Sequence, residues 1–131
     1  MITLKTLPDA TAQQIFNQVA THLMTQRQKS ESTDGSCKYR HDNLMCAAGC
    51  LIGNGEYDES YEKLGSWGSL VAREIAPRDH IFLIQDLQDV HDEYNVREWP
   101  SILKRVSVKY DCSARVVVNM EPEFNKAMEN Q

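Results

Sequence analysis

Nowhere does this chain approach the roughly 18 consecutive apolar residues that a membrane-spanning helix needs. The opening residues, MITLKTLPDATAQQ, hold no apolar core of the kind a secretory leader carries. A basic excess is also missing. The 131 residues carry 14 Lys and Arg against 19 Asp and Glu, a formal net charge of -5. That balance argues against general nucleic-acid binding through the phosphate backbone, which calls for a basic face. There is no internal repeat and no low-complexity tract. Neither the G-x4-G-K-[ST] pattern of a phosphate-binding loop nor the G-x-G-x-x-G pattern of a dinucleotide fold occurs. These absences point to a cytosolic globular protein with no membrane segment, no nucleic-acid partner and no cofactor. The apolar fraction of 41% and the charged fraction of 25% are ordinary for such a protein. The length supports one domain, residues 1–131, around one core.

Helical periodicity dominates what is present. Thr11 and Gln14 have capping-box spacing. Ile15, Phe16, Val19, Leu23 and Met24 then mark one face of a helix ending near Arg27. Asp79 is placed to cap a helix whose stripe is Leu83, Ile84, Leu87, Val90 and Tyr94. A second stripe is Trp99, Ile102, Leu103, Val106 and Tyr110, with Pro100 in its first turn. These two helices should form a hairpin packed on the first. Shorter helices are expected at Tyr57 to Leu64 and from Trp67 to a stop at Pro77. The strand signals are short: Ile2 to Leu7, a hairpin flanking His41 to Asn43, and Ala114 to Met120 with its three consecutive valines. Pro122 should open a final helix. The expected fold class is α+β, mostly helical, with a small hairpin or sheet.

The unusual chemistry gathers in GSCKYRHDNLMCAAGCLIGNGEY, which holds three of the four cysteines. Cys37, Cys46 and Cys50 have the spacing C-x8-C-x3-C, with His41 between the first two. Structural zinc prefers short C-x2-C knuckles, so Cys37, His41, Cys46 and Cys50 make a poor ligand set. The apolar neighbours Ala47, Ala48, Leu51 and Ile52 favour Cys46 and Cys50 as buried thiols. Cys37, beside Lys38 and Arg40, is the most electropositive thiol, but no signature of a known cysteine enzyme surrounds it. No catalytic residue is assigned on this reading. Binding is expected to rest on Tyr39 and Arg40, with Trp67 as a core anchor or pocket wall and His91 as a core-edge histidine held by a neighbour. Asp86, Asp89 and Glu93 should line the solvated face beside it.

The elements CKYR, CAAGCLI and EY, followed by LQDVHDEYNVREWPSILKRV, resemble a family of small tailed-phage and prophage proteins. The matching positions are Cys37, Tyr39, Arg40, Cys46, Ala47, Gly49, Cys50, Leu51, Ile52, Tyr57, Leu87, Gln88, His91, Asp92 and Trp99. The resemblance brings no catalytic residues with it. It implies a non-enzymatic accessory protein that engages a host protein, such as a component of a defence system, in the host cytosol. Two further readings stand beside it: a nucleotide-like small-molecule binder, and a Cys/His zinc protein or thiol enzyme. Charge segregation, with acid concentrated in Glu56 to Glu98, also favours a charged partner or a homodimer.

Overall fold

The computed structural model describes residues 1–130. Its helices are α1 (Ala12–Gln26), α2 (Trp67–Ala72), α3 (Ile81–Glu93), α4 (Trp99–Lys109) and α5 (Arg115–Glu129). Two short strands, β1 (Arg40–His41) and β2 (Leu44–Met45), pair antiparallel with Arg40 opposite Met45. The α+β class, mostly helical with a small hairpin, is therefore what the chain forms.

The helix α1 begins where the sequence places it. The Thr11 hydroxyl accepts from Gln14 N and the Gln14 side chain accepts from Thr11 N, so two otherwise orphaned donors are satisfied. Its six buried residues are Ile15, Phe16, Val19, Ala20, Leu23 and Met24. They pack against α3, α4, α5 and a 3-10 turn at Gly49–Leu51, so α1 is the hub of the core. Large apolar side chains of this kind contribute about 1.5–3 kcal/mol each on burial. The α3–α4 hairpin forms on α1 as the stripes predict, with Trp99 and Leu103 fully buried.

Several expectations are corrected. Of Ala114 to Met120, Ala114 is the N-cap of α5 and the rest its first turns, not a strand. Val117, Phe124 and Met128 are its buried residues, at i, i+7 and i+11, a helical spacing that the three consecutive valines obscure. Pro122 lies inside this helix instead of opening it. The missing N–H frees a carbonyl at Val118, and both residues sit on the exposed side, where water can take that carbonyl. No strand forms at the N-terminus. Leu4 N and Lys5 N instead donate to the Glu56 carboxylate, and Leu7–Asp9 is a 3-10 turn. Asp79 does not cap α3. His80 precedes the helix in the left-handed region at φ 58°, and its ring bonds Ala10 O at 3.0 Å. The segment after Asp58 is a 3-10 turn, Glu59–Lys63, and α2 ends at Ala72, well before Pro77.

Among the described residues, no helix is long and apolar enough to cross a membrane.

Candidate functional site

A cleft of about 510 Å³ opens between α3, the start of α2 and the approach to β1. Each wall has a sequence origin. Gln85, Gln88, Asp89 and Asp92 recur at i, i+3, i+4 and i+7, so α3 turns one polar stripe to the cleft while Leu83, Ile84, Leu87 and Val90 face the core. Opposite stand Trp67, buried at the first position of α2, and Tyr39, buried just before β1. The Tyr39 hydroxyl donates to Gly65 O at 2.6 Å. Gly65 sits at φ 88°, a conformation glycine adopts without strain, and so presents that carbonyl. Glu62 fastens the wall: its carboxylate accepts from Tyr39 N at 2.9 Å, Arg40 N at 3.0 Å and the Tyr57 hydroxyl at 2.5 Å.

On the floor of the cleft, the Cys37 thiol and the Asp92 carboxylate meet the His91 ring buried beneath them. One ligand-type atom from each lies within 4.8 Å of the others. The residue types are those of a nucleophile, a base and an orienting acid, or of a metal site. The hydrogen bonds decide against both uses. His91 is fully buried, and its Nε2 accepts from the Ser30 backbone N–H at 2.9 Å. Nε2 therefore carries no proton, and Nδ1 donates to Asp92 Oδ1 at 2.7 Å. With one lone pair occupied and the other nitrogen protonated, the imidazole has nothing left to receive a thiol proton or to hold a metal. Asp92 is bound in turn by the Gln88 Nε2 amide at 2.7 Å, while Gln88 Oε1 accepts from Ala48 N at 2.8 Å. Burial works to raise the Asp92 carboxyl, but His91, the Cys37 thiol and Gln88 outweigh it and hold it below the usual range.

Cys37 responds in the opposite sense. Partial burial, then the Asp92 charge, push its thiol up to about 12, against the small pull of Lys29. A nucleophilic cysteine needs the reverse shift. Cys37 should react with iodoacetamide at pH 8 at least roughly tenfold more slowly than a free cysteine, and Asp92→Asn should restore part of that rate, because burial is the larger cause and remains. Mass spectrometry of the alkylated peptide checks this, and a Cys37 rate equal to that of free cysteine would contradict it.

Outside relationships add nothing to this geometry. No family model, no curated protein and no solved structure matches the chain. The chemistry of its site must be read from its own residues.

The residues singled out from sequence fall in three places. Tyr39 and Trp67 share the cleft, and His91 lies under its floor with no exposure, a core histidine and not a core-edge one. Arg40 leaves on the other side. Its Nη1 donates to Asn54 Oδ1 at 2.8 Å, its Nη2 to Ile52 O at 2.6 Å, and its guanidinium lies over the Tyr57 ring at 4.9 Å. The set Cys37, His41, Cys46 and Cys50 is not assembled. His41 pairs with Asp42 at 3.6 Å. The two inner thiols are buried as expected, Cys46 Sγ accepting from Gly49 N and Cys50 Sγ donating to Ala47 O, and burial raises both. The cluster that does form takes Asp92 and Gln88 as members, which the sequence marks only as positions of the resemblance and to which it assigns no role. Their i, i+4 spacing on α3, opposite the apolar stripe, was the available signal.

Proposed function

We propose that the protein is a non-enzymatic binding protein that seats a basic side chain of a partner protein in this cleft. The carrying observation is the state of Asp89. Four carboxylates border the cleft, Glu62, Asp86, Asp89 and Asp92, against one amine, Lys38. Three are compensated: Glu62 by two backbone N–H groups and Tyr57, Asp86 by Lys109 at 2.7 Å and the Tyr110 hydroxyl at 2.6 Å, Asp92 by His91 and Gln88. Asp89 has no such donor among the described residues. Partial burial, then the charges of Asp86, Glu93 and Asp92, raise its carboxyl, with only Lys109 opposing. Unrelieved negative potential beside the Trp67 and Tyr39 walls suits a guanidinium or ammonium group and repels phosphates. This disfavours a nucleotide-like ligand in the cleft. The occupied nitrogens of His91 and the raised Cys37 thiol favour binding over catalysis.

This reading agrees with what the phage-type resemblance implies, an accessory factor directed at a host protein such as a defence component. A short peptide carrying two arginines is the probe. The intact protein should bind it in calorimetry at low salt, and binding should weaken at 0.5 M salt. Asp89 is exposed, so Asp89→Lys should keep the fold and reduce the affinity by roughly fivefold or more. A raised carboxyl pKa means the folded state holds the proton more tightly than the unfolded one. The Asp89 charge therefore opposes folding at neutral pH and ceases to as pH falls through the raised value. Asp89→Asn should then leave stability unchanged or gain under about 0.5 kcal/mol while losing peptide affinity. Equal peptide affinity in the Asp89 variants would overturn the proposal.

A further inference from the structure

A second concavity, of about 1030 Å³, lies on the far side of the hairpin, between α1, the β1–β2 hairpin and the N-terminal arm. It is twice the volume of the acidic cleft and stands at the upper end of the range for small-molecule sites. We propose that this groove binds a small amphiphilic anion, an aliphatic body with a carboxylate or similar acidic head.

Three observations carry this assignment. The first is charge. In a chain of net charge -5, no Asp or Glu among the described residues lines the groove, and among them Arg40 is its only charged side chain. Burial, aided by nearby His91 and opposed by the hydrogen bond to Met45 O, holds His22 below its usual range, so His22 adds no positive charge at neutral pH. An arginine carries five donor hydrogens. Asn54 and Ile52 accept from Nη1 and Nη2, and Arg40 Nε has no acceptor. Donor hydrogens on the two Nη atoms remain for an anionic head.

The second is the state of the polar walls. Gln18 bonds Ile2 N, Ile2 O and Cys50 O. Gln26 bonds Met45 N and Met45 O. His22 Nε2 bonds Met45 O at 2.8 Å. These side chains lace the arm and the hairpin to α1. They hold the groove open and have little hydrogen bonding left to offer a ligand. What remains for contact is the apolar surface of Ile2, Leu44, Met45 and Ile52, with the Thr21 and Thr25 hydroxyls and the Asn43 amide beside it.

The third is an absence with chemical content. Among the described residues no Phe, Tyr or Trp lines the groove, and its two planar groups are already engaged, His22 by Met45 O and Arg40 by Asn54, Ile52 and the Tyr57 ring. An aliphatic chain fits these walls better than a nucleotide.

Dodecanoate is the probe and dodecan-1-ol its uncharged control, both below their aggregation limits and both titrated into the intact protein. Thr21 is an exposed residue of α1 on the groove wall, so its variants should fold. Dodecanoate should bind one per chain and perturb amide resonances of Thr21, Leu44 and Met45. Thr21→Glu should weaken it roughly threefold to tenfold and Thr21→Lys should tighten it, while dodecan-1-ol should be indifferent to both. Equal dodecanoate affinity in the two variants would overturn the proposal. So would perturbation confined to the acidic cleft, or a concentration-dependent dimer that Thr21→Glu dissolves without any dodecanoate binding. The basic peptide used on the cleft should not compete with dodecanoate, so the two sites succeed or fail separately.

Discussion

Gly49→Ala should cost about 3 kcal/mol and lower the melting temperature by roughly 10 °C, as read by thermal or urea denaturation. The reason is space, not backbone conformation, because Gly49 is not in the left-handed region. A Cβ at this position would stand 2.2 Å from the Tyr39 carbonyl oxygen and 3.0 Å from its carbon. Both atoms belong to backbone, so no rotamer change relieves the clash. Nor can Tyr39 retreat easily. Its carbonyl accepts from Cys46 N, its amide donates to Glu62 and its hydroxyl to Gly65. Alanine must therefore separate the Gly49–Leu51 turn from the hairpin and pull Tyr39 from the cleft wall. A variant as stable as the parent would show that the two segments are not packed this closely.

His91→Phe should be similarly damaging, at about 3 kcal/mol, even though the ring is kept. Phenylalanine can still stack on Trp99, whose ring centroid lies 5.7 Å from that of His91. It cannot accept from Ser30 N–H, which is fully buried, and an unmet buried donor costs about 1–3 kcal/mol. Asp92 loses a donor at the same time. His91→Gln offers an amide oxygen and a donor, so it should recover part of the loss. A pH series separates the roles. The Asp92 carboxyl is depressed in the folded state, so its contribution is present above the ordinary aspartate value and lost as pH falls through the folded one. That acid-side loss, below about pH 4, should shrink in His91→Phe. If Phe and Gln cost the same and the acid limb does not change, the Ser30–His91–Asp92 chain is not a stabilising unit.

The helices of the core were legible in the sequence because burial imposed a period. Thr11 with Gln14, and the stripes of α1, α3 and α4, all carry local signals that tertiary packing did not override. Val116 to Val118 misled for a physical reason. Strand propensity in a run of valines reflects fit to a pleated, half-buried surface, and here the partner surface is α1, which selects one valine of the three. Pro122 misled because a proline is read as a boundary, whereas an exposed carbonyl one turn earlier makes it tolerable mid-helix. The buried Cys46 and Cys50 were readable from Ala47, Ala48, Leu51 and Ile52. The Cys37, His91 and Asp92 cluster was not, since residues more than fifty positions apart meet only once the loop after α1 lies along α3. Arg40 looked like the partner of Trp67 because both bear recognition chemistry. The chain offers no local mark of the side on which a strand residue leaves.

Tyr39 and Arg40 are neighbours in sequence, yet one borders the acidic cleft and the other the apolar groove. The hairpin is thus a partition one strand thick, with Glu62 as the bolt that holds both adjacent amides. Substitutions along this segment should therefore sort by the chamber each residue lines and not by proximity. Residues on the Tyr39 side should alter binding of cations and leave amphiphiles alone, and those on the Arg40 side should do the reverse. Glu62 should be the exception, loosening both chambers together.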